Sequence, residues 1–152
     1  MSEIIKVGMA DLKVCTYPDS LTTLGLGSCV GIALYDSVTK VTGLAHIMLP
    51  DSTKITKNEN IAKFADTGIA ETLRLMLLQG ANRKRIVAKI AGGKSTFRVG
   101  ASNIEAAKEN LKKLGIPLVA EDVGKNYGRT VIIRSEDGAF VIKSVGKPIK
   151  EI

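Results

Sequence analysis

The chain has 152 residues, of which 45% are hydrophobic and 24% charged, so it is long enough to bury a core as one domain spanning residues 1–152. No stretch approaches the ~20 consecutive apolar residues of a membrane span, and the N-terminus lacks a signal-peptide pattern, so we expect a cytoplasmic protein without membrane insertion. The net charge of +7 indicates either a solvated basic surface or an acidic partner, and with only 4% aromatic residues no nucleic acid is expected as that partner.

The predicted elements alternate between strands and helices in chain order. They are strands at 3–8, 11–17, 30–35 and 41–47, a helix at 60–79, a strand at 85–91, a helix from Ser102 to Gly115, and strands at 116–122, 129–134 and 139–145. Gly80 is a plausible end signal for the first helix, and Ser102 with Glu105 forms a capping-box pattern at the start of the second. Many strands interrupted by only two helices favour a mixed α/β or α+β sandwich over a doubly wound parallel sheet.

The two strands at 30–35 and 41–47 are predicted to form a hairpin whose short loop is Asp36–Thr39. If Tyr35 faces Lys40, the same pairing places Cys29 directly opposite His46, the only histidine in the chain. Directly opposed residues point to the same face, with Cβ atoms about 4.5–5.5 Å apart. A slip of one residue would place the two side chains on opposite faces, so the inference depends on the loop length.

Cys29 is either a buried structural cysteine or a nucleophile. It follows a glycine-rich turn that contains Gly27 and Ser28, where backbone amides can approach a substrate closely. A nearby imidazole from His46 can take the thiol proton, and amides of the turn can stabilise an oxyanion. Thr23 can orient the imidazole through its distal nitrogen, although it can equally be an ordinary strand threonine.

Neither a metal nor a cofactor is expected. One histidine and two cysteines fourteen positions apart lack a zinc-ligand spacing. Cys15 and Cys29 are expected to be reduced thiols, although their segments could be neighbours and a disulfide stays open. The run Ala91–Thr96 lacks the glycine that a phosphate-binding loop needs at position 88, so we interpret it as a surface loop close to the active site.

Several motifs together resemble one known family. They are Thr-Leu-Gly-Leu-Gly-Ser-Cys-Val at 23–30, Ala-His-Ile-Met-Leu-Pro-Asp at 45–51, Lys-Phe-Ala-Asp at 63–66, Lys-Ile-Ala-Gly-Gly at 89–93 and Asn-Ile-Glu-Ala at 103–106. This pattern resembles CheD, the bacterial chemoreceptor glutamine deamidases, and the resemblance runs in order from about residue 4 to 145. The most specific motif is Gly-x-Gly-Ser-Cys with a histidine seventeen residues later.

The resemblance implies a protein-glutamine glutaminase with a Cys29–His46–Thr23 catalytic triad. It also implies an α+β fold with a mixed, largely antiparallel β-sandwich flanked by helices, related to the catalytic domain of cytotoxic necrotizing factor toxins. The implied substrates are glutamines on the cytoplasmic helices of chemoreceptors, which are methyl-accepting chemotaxis proteins, and deamidation serves chemotaxis adaptation. Some members of the family also bind CheC-type phosphatases of the response regulator CheY.

Two rival hypotheses stay open at this point. The chain could be a non-catalytic chemotaxis module that acts by binding receptor or a CheC-type phosphatase. It could also be another cysteine hydrolase, such as a peptidase or a transglutaminase-like enzyme, that shares the same pair of residues. For partner binding we expect a contribution from basic residues in loops that could flank Cys29, namely Lys54, Lys57, Lys94 and Arg98.

Overall fold

The computed structural model describes residues 2–54, 60–96 and 98–152, which form ten strands and two α-helices. The strands are β1 (Ile4–Lys6), β2 (Leu12–Cys15), β3 (Ser20–Leu26), β4 (Val30–Tyr35), β5 (Thr42–Ile47), β6 (Val87–Gly92), β7 (Leu118–Val123), β8 (Arg129–Arg134), β9 (Phe140–Lys143) and β10 (Lys150–Glu151). The helices are α1 (Ala65–Leu78) and α2 (Arg98–Lys113). None of the described helices is long and apolar enough to cross a membrane.

The strands form two five-stranded sheets that pack face to face. The first sheet has the order β1-β3-β8-β9-β10 and the second β2-β5-β4-β6-β7, and most neighbouring pairs are antiparallel. Only β1–β3 and β6–β7 pair in parallel. This arrangement confirms the predicted α+β sandwich.

Two hydrophobic clusters hold the layers together. The cluster between the sheets contains Leu21, Leu26, Cys29, Ala33, Leu44, Val131 and Ile133, among others. The other cluster joins the second sheet to the helices and contains Ile32, Leu34, Ala45, Ile47, Ile69, Met76, Ala107 and Leu111, among others. Strands β4 and β5 are buried on both faces, which explains why their sequences are mostly apolar.

The predicted register of the β4–β5 hairpin is wrong by two residues. Tyr35 pairs with Thr42 rather than Lys40, because the loop is longer than expected and Lys40 turns with a φ of 64°. The residue opposite His46 is therefore Gly31, not Cys29. Because side chains repeat every two residues along a strand, a shift of two leaves the predicted face unchanged.

Both predicted helix starts are also wrong. Helix α1 begins at Ala65 rather than at residue 60, because Phe64 is extended (φ −112°, ψ 145°) and forms a bridge with Leu49. Helix α2 begins at Arg98, so Ser102 lies inside it and the predicted capping box does not start it. The predicted ends hold, since the glycines that follow the two helices, Gly80 and Gly115, have φ values of 101° and 73°.

The early start of α2 has a tertiary cause. A Cβ on Gly100, in the first turn of the helix, would overlap the carbonyl oxygen of Lys94 and lie 3.0 Å from the backbone of Gly93. The helix therefore packs directly against the backbone that follows β6, and this contact outweighs the low helix propensity of glycine. Sequence patterns alone do not reveal such a contact.

Two of the observed strands are absent from the predicted elements. Strand β3 follows the predicted break at Pro18–Ser20 and contains Gly25, and β10 is only two residues long. The strands predicted at 30–35 and 129–134 are confirmed as they stand, and the others are shifted or shortened by one or two residues at their ends. The omission of β3 matters most, because this strand carries Thr23.

A buried ion pair fixes the loop of the hairpin. The carboxylate of Asp36 is fully buried and receives two hydrogen bonds from Arg85, at 2.9 and 3.0 Å. Burial alone would raise the pKa of Asp36, but hydrogen bonds from Arg85 and from the amides of Asn82, Val38 and Thr39 outweigh it and hold the pKa well below its usual range.

We expect Arg85→Met to lower the free energy of unfolding by about 3 kcal/mol, because it leaves the carboxylate of Asp36 buried without its cation. The matched control is Arg74→Met, which breaks an exposed helical pair with Glu71 and should change stability little. Since the pKa of Asp36 is lowered in the folded state, its stabilisation is present above its unfolded value of about 3.9 and is lost as the pH falls below it. Urea unfolding of both variants at pH 7 checks the prediction, and equal small losses would contradict it.

Candidate active site

His46 lies near the end of β5, and the hydrogen bonds of its backbone hold it on both sides. Its amide donates to Asp11 O and its carbonyl accepts from Ala10 N, both at 3.0 Å, while β4 pairs with its other edge. It shares a face of the strand with Leu44, which belongs to the cluster between the sheets. The imidazole is therefore fully buried between the two sheets.

Thr23 reaches this imidazole from the opposite sheet. Its Oγ1 lies 2.7 Å from His46 Nδ1 and 2.7 Å from the carbonyl oxygen of Val7. A carbonyl can only accept, so the single hydroxyl proton of Thr23 goes to Val7, and the hydroxyl oxygen accepts from His46 Nδ1–H. This chain of hydrogen bonds assigns the proton of the neutral imidazole to Nδ1 and leaves the lone pair on Nε2.

The Nε2 atom of His46 is buried and has no hydrogen-bond partner among the described residues. Burial lowers the pKa of the imidazole, which favours the neutral form. A neutral imidazole with a free Nε2 lone pair can accept a proton, which is the property that a general base needs.

Cys29 directly precedes β4, and its side chain belongs to the cluster between the sheets, on the same side as His46. Burial raises the pKa of its thiol. Because burial lowers the pKa of the imidazole at the same time, the neutral thiol and neutral imidazole are the favoured resting pair. Proton transfer from sulfur to Nε2 would then accompany attack on a substrate rather than precede it.

The turn before Cys29 is anchored through its carbonyl groups. Gly93 N donates to Cys29 O at 2.8 Å, and Lys94 N donates to Gly27 O at 2.7 Å. A Cβ on Gly92 would overlap the same carbonyl of Cys29, so only glycine fits at the end of β6. The loop after β6, predicted to be a surface loop close to the site, thus contacts the backbone of Cys29 itself.

The amide groups of the same turn are candidates for oxyanion stabilisation. Gly27 N donates to Gly25 O at 3.0 Å, so this amide is engaged within the turn. The amides of Ser28 and Cys29 have no partner in the part of the chain that the structure describes. These two N–H groups are therefore the ones in the turn that can receive a developing negative charge.

Cys15 is not part of this arrangement. Both cysteines are free thiols, and Cys15 Sγ contacts Asp19 O at 3.7 Å. Burial, with a smaller contribution from the carboxylate of Asp19, raises the pKa of Cys15 to about 11. Residues 2–54, 60–96 and 98–152 contain no cluster of metal-ligating side chains.

Sequence reasoning missed two contributors to this geometry. The carbonyl of Val7, which receives the proton of Thr23, has no sequence signal, since any residue supplies a carbonyl. Asn103 of α2 is fully buried and donates to the carbonyl groups of Ser28 and Met48. Asn103 is a polar residue among the buried positions of α2, and this could have drawn attention to it in the sequence. The wrong prediction of the helix start hid this pattern.

The chain matches the family described as CheD chemotactic sensory transduction over residues 48–144. It is 60% identical to a probable chemoreceptor glutamine deamidase CheD from Lachnoclostridium phytofermentans, with the whole of both chains covered. It is 54% identical to a protein of the same name from Caldanaerobacter subterraneus, with 99% of both chains covered. The chain belongs to the CheD family. This confirms the resemblance found in the sequence motifs.

Among solved structures, a Neisseria meningitidis protein described by the family model DUF152 shares the fold with a TM-score of 0.55. The two sequences are 10% identical, and the match covers 80% of this chain and 64% of that one. At this identity the likeness concerns the fold alone. It agrees with a sandwich of mixed strands flanked by helices, as found here for the CheD family.

Proposed function

We propose that this chain is a chemoreceptor glutamine deamidase, a hydrolase that converts receptor glutamine side chains to glutamate and releases ammonia. The observation that carries the proposal is the Thr23–His46 hydrogen bond between the sheets, which leaves the Nε2 lone pair free, while Cys29 belongs to the cluster between the same sheets. The relatives that match over the full chain are named as probable enzymes of this kind. No cofactor enters the proposed chemistry.

In the first step, Cys29 Sγ attacks the side-chain amide carbon of glutamine while its proton passes to His46 Nε2. The carbonyl oxygen takes up the negative charge, and we assign its stabilisation to the amides of Ser28 and Cys29, for which no hydrogen-bond partner is found among the described residues. Collapse of this intermediate breaks the C–N bond, and His46 returns the proton to the leaving nitrogen, so that ammonia departs and a thioester remains.

In the second step, water attacks the thioester while His46 Nε2 accepts one of its protons. The C–S bond then breaks, His46 returns this proton to the sulfur and so restores the thiol of Cys29, and the receptor side chain leaves as glutamate. Thr23 holds the imidazole in the required tautomer throughout, because its own proton is committed to Val7 O. The hydroxyl brings no charge, so it orients the ring more than it stabilises an imidazolium.

Ammonia release from a purified receptor fragment tests the proposed activity against the rival hydrolases. A peptidase would cut the fragment, and a transglutaminase-like enzyme would join added methylamine to glutamine through the same thioester. A deamidase leaves the chain intact and yields glutamate with water as the acceptor. Cleavage of the fragment, or methylamine incorporation in place of hydrolysis, would contradict the proposal.

We further propose that the partner surface surrounds the nucleophile and is basic. Lys94 and Arg98 follow β6 and open α2, next to the turn that holds Cys29, and Lys125 O accepts a hydrogen bond from Ser95 N at 2.7 Å on the same side. Such a surface suits acidic receptor helices. Lys57 and the side chain of Lys54, both predicted to contribute, lie outside the described part of the chain.

Charge reversal at Lys94 or Arg98 should weaken receptor binding and raise KM more than it lowers kcat. The effect should shrink as salt rises past about 0.1 M, where the Debye length is near 10 Å. The control is Lys84→Glu in the Arg83–Arg85 turn, beside the hairpin loop at the far end of β4. Lys84 is a better control than Lys150, because Lys150 pairs with Asp122 at 3.0 Å and its charge reversal would also break this ion pair. Receptor affinity at two salt concentrations decides, and equal effects at all three sites would contradict an electrostatic surface.

We extend the proposal to where the protein acts and to a second binding partner. Receptor signalling helices lie in the cytoplasm, so the deamidase acts there. A CheC-type phosphatase is a further proposed partner. If binding alone were the biological role, a Cys29→Ala protein would retain that role in cells, whereas a deamidase loses it.

A further inference from the structure

Asn103 is a polar residue in the apolar stripe of α2. The buried positions of this helix are Gly100, Asn103, Ala107 and Leu111, which follow helical spacing. The side chain of Asn103 is fully buried, and its Nδ2 donates to Ser28 O and to Met48 O, both at 2.9 Å. Its Oδ1 is buried without a hydrogen-bond partner among the described residues.

The orientation of this amide follows from its neighbours. Both contacts of Asn103 are backbone carbonyl oxygens, which only accept, so the NH2 group must face them and uses one hydrogen for each. The amide oxygen is left unsatisfied, which is unfavourable inside a protein. Packing alone therefore does not account for an asparagine at this position. An apolar residue of the same size would lack the two hydrogen bonds that Asn103 donates.

The two carbonyl groups belong to the two halves of the proposed site. Ser28 directly precedes Cys29, and Met48 lies two residues beyond His46. The pairing between β4 and β5 begins at Val30, so Cys29 has no partner residue in β5. The strand pairing alone therefore does not fix the position of Cys29 relative to His46. The side chain of Asn103 supplies a direct link between the turn and the extension of β5.

We propose that Asn103 is a positioning residue, which fastens the Ser28 carbonyl to the Met48 carbonyl and so holds the thiol of Cys29 in reach of His46. The inference rests on the proposed function and deepens it. Asn103 touches neither the substrate nor the reacting atoms, and both of its amide hydrogens are engaged, so it is not an oxyanion donor. It acts through the geometry of the nucleophilic turn.

The test replaces Asn103 by leucine, which has a similar size and no donor. We expect kcat for deamidation to fall at least tenfold, since a displacement of ~1 Å can cost about 10²-fold, with KM changed less than about threefold. The matched control is Asn110→Leu, two turns later on the same helix, where Nδ2 donates only to Ala106 O within the helix. This control should leave kcat and KM unchanged.

A second readout needs no glutamine substrate. In a Cys15→Ala background, Cys29 is the only thiol, and its alkylation by iodoacetamide can be followed against pH. With Asn103 present, the profile should contain an inflection from the titration of His46, which His46→Ala removes. We expect Asn103→Leu to lose this inflection as well, and Asn110→Leu to retain it.

The outcomes separate this inference from the proposed function. If the unmodified protein shows no deamidase activity, the proposed function fails, while the alkylation profile still decides the role of Asn103. Retention of the His46 inflection in Asn103→Leu overturns the inference, whether or not kcat falls. If the leucine variant does not fold, Asn103→Ala is measured by the same criteria. Failure of both to fold makes the residue a folding determinant and also overturns the inference.

Discussion

Replacing Cys29 by alanine is expected to abolish glutamine deamidation while the protein stays folded. The thiol is the only group of the site that can form the thioester, and its loss removes covalent catalysis altogether. The side chain is small, although it belongs to the cluster between the sheets, so alanine should disturb packing little. The rate of glutamate formation from a receptor fragment measures the effect. Cys29→Ser should be inactive as well, since a hydroxyl is a poorer nucleophile beside a neutral imidazole.

The control for this experiment is Cys15→Ala. Cys15 is also a buried free thiol with a raised pKa, but it contacts Asp19 rather than the proposed site. Its replacement should leave the rate nearly unchanged. A Cys29→Ala protein that still forms glutamate at a rate comparable to that of Cys15→Ala would refute the assignment of the nucleophile.

Replacing His46 by alanine should lower turnover by about 10²–10⁴-fold, the range expected for a lost general base. Thr23→Val, which keeps the shape of the side chain but removes the hydroxyl, should cost less. The hydroxyl fixes the tautomer of the imidazole, and without it the ring retains part of its basic function. Initial rates of both variants on one receptor fragment give the order. A larger loss in Thr23→Val than in His46→Ala, with both proteins folded, would contradict these roles.

The pH dependence provides an independent check on His46. Burial lowers the pKa of the imidazole, so the neutral, proton-accepting form persists below the usual value of about 6.5. The acidic limb of kcat/KM should therefore lie below pH 6.5. A variant that exposes the imidazole to solvent should shift this limb to higher pH. A limb that remains in place in His46→Ala would have to come from another group.

The sequence allowed the face of the site to be predicted, but not its register. The predicted pairing of Cys29 with His46 failed because the hairpin loop is two residues longer than assumed, with Lys40 in a left-handed conformation. Loop conformation depends on contacts such as the Asp36–Arg85 pair, which joins residues far apart in sequence. The error was an even number of residues, and the inward direction of both side chains survived it.

The contacts that organise the site could not be predicted, because they run between distant backbone groups. Val7 O orients Thr23, and the amides of Gly93 and Lys94 hold the turn before Cys29. None of these groups depends on side-chain chemistry that a pattern could reveal. The glycines are the exception, since a double glycine after a buried strand indicates a close backbone approach, although not to which segment.

The helix that carries Asn103 illustrates how a local rule can conceal a site residue. Ser102 and Glu105 match a capping box, and this pattern placed Asn103 in the first turn, where a polar residue needs no explanation. The close approach of Gly100 to the backbone of Lys94 extends the helix to Arg98 instead. Asn103 then lies in the helix interior on its buried side, where it becomes conspicuous.

Tandem mass spectrometry of receptor peptides shows whether Cys29 converts receptor glutamine to glutamate. A purified chemoreceptor cytoplasmic fragment is incubated with the unmodified protein, with Cys29→Ala and with Cys15→Ala, then digested and sequenced by mass. We expect a gain of about one dalton at particular glutamines, from replacement of NH2 by OH, with the unmodified protein and Cys15→Ala but not with Cys29→Ala. An unchanged mass at every receptor glutamine after incubation with the unmodified protein, or the same gain with Cys29→Ala, would contradict it.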